Sequence, residues 1–396
     1  MINRSDQLGG AAIATLRLMH GLQQLGVEAR MLVVDRHGND SHVALAGNAL
    51  SRRWAFLAER LGIYVRNGHR RDTLFKIDTA THGIDVSRHP WVREADALLL
   101  GWTNQGMLSL HDIERLTQLG KPIVWTMHDM WPCTGVCHHA YECKGYQEQC
   151  ADCPMLPKGS TLAANTLRRK ADLYRCPDIH FVAVSHWLAD CCRQSTLLCN
   201  HEVTVIGNPF PVSDYRYDFM GQTDDRVVIA MGAARLDDPV KGFDLLIASM
   251  RHLAGHNPDL AKRVHLLLYG ELRDMSLLDQ LPVAHTHLGY ITDINAVFRQ
   301  AHIVLSTSRY ESFGYTLLEG MASGCIPVTT GAGGQVDIVR HLHNGYVTGS
   351  NDPADVVRGI EWACRANLAR ADQHHWVADH FDAPVIAQRY LDLINR

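Results

Sequence analysis

Apolar strand-like runs alternate with amphipathic helix-like stretches along nearly the whole chain, and this alternation restricts the fold more than any other feature. Strands separated by helices cannot be joined by tight hairpins. They pair in parallel, and the intervening helices cover both faces of the sheet. In the first half the candidate strands are residues 30–34, 97–100, 123–129, 180–185 and 203–207. After Gly9-Gly10, the residues Ala14, Leu18, Leu22 and Leu25 recur at helical spacing, and Gly26 is a stop signal. Ser185 is placed to cap a helix over 186–197. The pattern restarts in the second half with candidate strands at 227–233, 264–270, 303–308 and 327–330; Leu246, Met250 and Leu253 mark a helix between the first two. Between the halves, residues 208–225 are polar, proline-bearing and aperiodic, which predicts a domain boundary. The expected architecture is α/β, with two Rossmann-like doubly wound domains facing an interdomain cleft. Such sheets bind ligands beyond the carboxyl ends of their strands. One element is short: before the first glycine pair only Met1-Ile2 look strand-like. Either that strand is very brief or the true start lies upstream.

The chain has 396 residues, enough for two domains, and 46% of them are hydrophobic. Its 38 basic and 42 acidic side chains give a net charge of −4, which argues against a general nucleic-acid binder. No apolar run reaches the roughly 18 to 20 residues that span a bilayer. No apolar signal-peptide core opens the chain, so the expected location is cytoplasmic. Eleven cysteines, an odd number, then point to metal binding or reduced thiols instead of a disulfide framework.

The segments that carry chemistry fall just after predicted strands. Residues 311–322 hold Glu311, Ser312, Phe313, Gly314, Tyr315 and Glu319. Gly314 lets a ligand approach the backbone where a helix begins. The free N–H groups and positive dipole end of that helix suit a diphosphate. A second segment, 232–242, places Arg235 and Lys241 on a loop after a strand, as a departing pyrophosphate requires. Gly9 and Gly10 open the first helix, and His128 ends a strand beside Asp129, a candidate to orient its imidazole.

A glutamate, seven residues, and a second glutamate, with Phe-Gly after the first, resembles the signature of glycosyltransferase family 4, which has the GT-B fold. The resemblance implies that Glu311 contacts the donor sugar and Glu319 the ribose. It makes Arg235 and Lys241 the diphosphate clamp, and it brings Gly9, Gly10 and His128 close to the donor sugar. The loop ending in Tyr290 resembles the nucleobase-side loop, and residues 330–334 could lie over the donor. It also implies domains over 1–208, binding acceptor, and 225–383, binding donor, with a helix over 384–396 returning to the first. The implied reaction is hexosyl transfer with retention, from a UDP- or GDP-sugar to a saccharide or lipid-linked saccharide, with no catalytic metal or other cofactor. A nucleotide-sugar epimerase, a phosphorylase and a non-catalytic partner subunit share the architecture and stay open.

Two further segments have two readings each. A cysteine-rich insertion at about 133–153 offers Cys137, Cys143, Cys150 and Cys153 as ligands of a structural zinc, the last two in Cys-x-x-Cys spacing; the other reading is a loop of reduced thiols. Similar insertions resemble those of colanic-acid and other exopolysaccharide glycosyltransferases. Residues 51–71 hold six arginines and one glutamate, while Trp54, Leu57, Leu61 and Tyr64 share a helical face. This is either a packed helix with a solvated basic face or a contact with the inner membrane surface.

Overall fold

The computed structural model describes residues 1–221 and 224–396; Gln222 and Thr223, within the 208–225 stretch, lie outside the described residues. The chain divides into two compact units, Met1–Pro209 with Ala383–Arg396, and Phe210–Asp382.

In the first unit, β1 (Met31–Val33) pairs with β2 (Val43–Leu45), while β3 (Leu98–Leu100), β4 (Ile123–Met127), β5 (Ile179–Ala183) and β6 (Val203–Val205) form a four-stranded parallel sheet. Ile2 joins the two, with parallel bridges to Leu32 on β1 and Leu100 on β3. Counting Ile2 as the first strand, the order from β2 to β5 reads 3-2-1-4-5-6, the doubly wound arrangement. Ile2 holds the central position by single bridges, and Ser5 adds a further parallel bridge to Asp35. The first helix spans Gly10–Gln24 and ends before Gly26, whose φ of 81° stops it. The helix after Ser185 spans His186–Gln194, shorter than expected, because the Ser195 backbone turns extended and its hydroxyl donates to the Cys133 carbonyl.

The first unit's core joins Leu18, Leu22, Met31, Leu99 and Val182 to Ile386, Tyr390 and Leu393 of the terminal helix Ala383–Ile394. The two helices touch closely at Gly21, where a Cβ would lie 2.6 Å from the Ala383 carbonyl oxygen. The Tyr390 hydroxyl meets Thr126 Oγ1 at 2.9 Å, in the middle of β4.

The second unit has one six-stranded, all-parallel sheet: β7 (Val227–Arg235), β8 (Val264–Glu271), β9 (Ala284–His287), β10 (Ile303–Ser306), β11 (Ile326–Thr330) and β12 (Tyr346–Thr348). Its order, β12-β11-β10-β7-β8-β9, repeats the doubly wound pattern. The order reverses between β7 and β10, so the loops leaving these two strands open the crevice where such sheets bind ligands. The helices Phe243–His256 and Pro353–Arg365 bury Leu246, Met250, Val356 and Ile360 against β7, β8 and β11. The unit's ends are paired: Phe210 N donates to the Phe381 carbonyl at 2.8 Å, and Val212 N to Asp382 at 3.2 Å.

Candidate active site

The crevice at the switch point is built from three loops. The loop after β7 carries Arg235 at the strand's end and Lys241 at the end of a short 3-10 turn. Gly242 follows at φ 68°, where a Cβ would stand 2.1 Å from the Thr307 carbonyl oxygen, so this position takes only glycine without displacement. Thr307, buried just after β10, donates its hydroxyl to the Lys241 and Gly242 carbonyls at 3.1 and 2.9 Å. Arg309 closes the same junction from the other side: its backbone N–H donates to Val240, and its guanidinium grips Asp244 at 2.7 and 2.6 Å. The lysine loop is thus fixed to the loop after β10 by backbone and side chain together.

That fixing brings two predicted residues into contact. Lys241 Nζ lies 2.8 Å from Glu311 Oε2, and both side chains keep partial access to solvent. Glu311 is held in turn by the third loop, after β11. Gly334 N donates to the Glu311 carbonyl at 2.8 Å, and a Cβ on Gly333 would fall 1.9 Å from that oxygen. Ser312 stands half-buried and Phe313 is buried; Gly314 caps the helix Tyr315–Ala322 at φ 118°, and no side chain caps its first N–H groups. Glu319 is half-buried one turn into this helix, which packs so tightly that a Cβ on Gly320 would be 2.4 Å from Val304.

Arg235 faces Asp237, Nε to Oδ1 at 3.1 Å, but the angle makes no hydrogen bond, and both atoms are buried without a partner. A buried donor and acceptor without hydrogen bonds are uncommon in folded proteins. Tyr290, in the loop after β9, is 88% exposed. The sequence reading missed Thr307, Arg309 and Gln335. Gln335 is buried and accepts from Ser306 and Thr329, fixing the β11 loop on β10. Only the glycines at 331, 333 and 334 signalled that loop in advance.

In the first unit, Gly9 has a φ of 90°, and added Cβ atoms at Gly9 and Gly10 would meet nothing within 4 Å, so the turn borders open space. His128 follows β4 and lines a small cavity with Thr15, Thr126 and Asn208. Burial pushes its imidazole down to about 4, with Asp129 opposing only in part, so the ring is neutral near pH 7. Its Nε2 is buried without a hydrogen-bond partner.

Two expectations are corrected. Asp129 does not orient His128. It accepts from Trp102 Nε1 at 2.7 Å and from Trp131 N at 2.8 Å, and it pairs with His138 Nδ1 at 2.8 Å. Burial alone would raise this carboxyl, but the His138 charge and hydrogen bond hold it at about 2. The zinc site is the other. Cys137, Cys143, Cys150 and Cys153 do line one cavity of about 20 Å³. Yet among the described residues no group of three or more His, Cys, Asp or Glu side chains is arranged to hold a metal ion. Burial pushes the Cys137 thiol to about 12 and raises Cys150 and Cys153.

Residues 220–376 match the family model for glycosyl transferases group 1. A mannosylfructose-phosphate synthase from Agrobacterium fabrum is 35% identical over 163 residues, covering 37% of this chain and 34% of the relative. A D-inositol 3-phosphate glycosyltransferase from Stackebrandtia nassauensis is 27% identical over 157 residues, covering 36% and 34%. The match thus spans about a third of the length of these curated relatives. Among solved structures, Anabaena HepE in complex with UDP and glucose superposes with a TM-score of 0.61 at 17% identity, covering 100% of this chain and 98% of that one. WaaG, a glycosyltransferase involved in lipopolysaccharide biosynthesis, gives 0.60 at 14% identity, covering 100% and 99%. Residues 220–376 therefore carry the glycosyl transferases group 1 pattern, on a chain with the GT-B fold.

Proposed function

We propose that the protein is a retaining glycosyltransferase of family 4, moving a sugar from a nucleoside-diphosphate sugar to a saccharide or lipid-linked saccharide acceptor in exopolysaccharide, capsule or lipopolysaccharide synthesis. The observation that carries this reading is the Lys241–Glu311 pair, set at the sheet's switch point beside an uncapped helix N-terminus. Lys241 and Arg235 bind the diphosphate, and the N–H groups opening the helix Tyr315–Ala322 face its oxygens. Glu311, released from Lys241 by the incoming phosphate, accepts from hydroxyls of the donor sugar, and Glu319 accepts from the ribose. His128, neutral at working pH, offers its Nε2 to a sugar hydroxyl.

The C1–phosphate bond breaks as the C1–acceptor oxygen bond forms on the same face. The acceptor proton passes to the departing phosphate oxygen. Charge gathering on that phosphate is met by Lys241, Arg235 and the helix dipole, the stabilisation this arrangement is suited to supply. The second unit thus takes donor and the first takes acceptor, in the cytoplasm. UDP-glucose is the first donor to try, because HepE is known with UDP and with UDP-glucose. A thermal-shift screen over UDP- and GDP-sugars identifies the donor, and the anomeric configuration of the product, read by NMR, tests retention. A product of inverted configuration, or conversion of donor without acceptor, would refute the reading.

A further inference from the structure

The helix Ala49–Arg66 shows two opposite faces, and the apolar one that the sequence reading singled out is turned outward. Its inner face buries Ala55, Glu59, Arg60 and Ile63. The Glu59 carboxylate accepts from the N–H and hydroxyl of Thr79 at 2.9 and 2.7 Å and from those of Thr81 at 2.9 and 2.6 Å. The Arg60 guanidinium pairs with buried Asp78 at 2.6 Å and donates to the Leu74 carbonyl. Rotating the helix would strip a fully hydrogen-bonded carboxylate and a buried ion pair of their partners. The helix is therefore locked about its axis, and what it shows to solvent is fixed by the fold.

What it shows is Leu50, Trp54, Leu57, Leu61 and Val65, exposed by 82, 70, 50, 63 and 56%. At about 100° per residue these five fall within a stripe roughly 80° wide. The predicted apolar face does not turn inward: Trp54, Leu57 and Leu61 are exposed, and Tyr64 is half-buried. Arg53, Arg66 and Arg71 are also exposed, and none of them enters an ion pair among the described residues. The one acid of residues 51–71, Glu59, is buried, so the accessible charge of this face is positive. Among the described residues, no helix is long and apolar enough to cross a membrane.

We propose that this face docks on an anionic lipid bilayer, lying in the plane of the interface. Trp54, Leu57 and Leu61 enter the boundary between headgroups and acyl chains, while Arg53, Arg66 and Arg71 meet lipid phosphates. Apolar residues in one stripe, a tryptophan among them, with Arg53 at the margin and Arg66 and Arg71 at the helix's C-terminal end, are what such an interface selects. Charge decides against a second copy of the chain as occupant, because two such faces would press like-charged arginines together. The proposal stands independently of donor binding.

The test is cosedimentation of the full chain with vesicles of phosphatidylcholine alone or enriched in phosphatidylglycerol. The wild type is expected to bind the anionic vesicles, with a blue-shifted tryptophan emission that brominated acyl chains quench. W54S/L61S should lose at least about tenfold in partitioning, and R53Q/R66Q/R71Q roughly a hundredfold, with little salt dependence left. Circular dichroism and nucleotide binding by calorimetry should stay at wild-type level in both variants, so failure of the glycosyl-transfer reading would register separately. Absence of wild-type binding, or equal binding by W54S/L61S, overturns the proposal. So does lipid-free self-association of the wild type that W54S/L61S abolishes, which would assign the face to a second copy.

Discussion

Lys241 and Glu311 neutralise one another in the free protein, and each is positioned by backbone contacts that survive its truncation. K241A and E311A should therefore lower turnover by about 10² to 10³-fold. Stability should change by only about 1 kcal/mol or less, because the pair remains partly solvated. Steady-state rates beside thermal melts of the same preparations check both halves. Gly333 behaves differently. G333A puts a methyl group into the Glu311 carbonyl at a φ of 74°, and should cost roughly 1–3 kcal/mol while weakening donor affinity. His128 carries a pH signature. Its folded pKa of about 4 lies below the ordinary value of 6.5, so the unfolded chain binds the proton more readily. The stability that neutral burial contributes is complete above about pH 6.5 and is lost as pH falls towards 4, up to ~3 kcal/mol. Denaturant titrations at stepped pH should show this slope in the wild type and a shallower one in H128N. Sequence could locate His128 at a strand end, but it could not show what Asp129 faces. Trp102 comes from the loop after β3 and His138 from further along the segment after β4, and only tertiary structure brings them to that carboxylate.

At the level of elements, most strands were legible, even the three-residue Met31–Val33, Leu98–Leu100 and Val203–Val205, whereas three short ones were not. Residues 227–233 and 264–270 stood out because buried central strands read as nearly continuous apolar runs. Val43–Leu45, Ala284–His287 and Tyr346–Thr348 are three or four residues long and partly exposed, so no run marks them. The terminal helix Ala383–Ile394 lends itself to a direct experiment. Tyr390 is buried and bonded to Thr126, and Gly21 lets the helix lie close. Y390A should destabilise the protein by about 3–5 kcal/mol and Y390F by about 1 kcal/mol, measured by denaturant unfolding. G21A should cost about 1–3 kcal/mol by forcing the helices apart.

For the molecule as a whole, the fold class was readable because the doubly wound pattern occurs twice, and the candidate site because its residues follow the strands at one switch point. Donor should bind the folded form alone, so a nucleotide-sugar at a hundred times its Kd should add about 2.7 kcal/mol of apparent stability. Residues 210–382, produced by themselves, should fold and keep nucleotide binding, because that unit has its own core and paired ends. Those paired ends, at Phe210 and Phe381, also set an order of assembly during synthesis. The second unit's ends meet without the terminal helix, whereas its host, the first unit, builds that helix into its core. The host's core can be sealed only after residues 383–396 emerge, so the first part of the chain to be made is the last to mature.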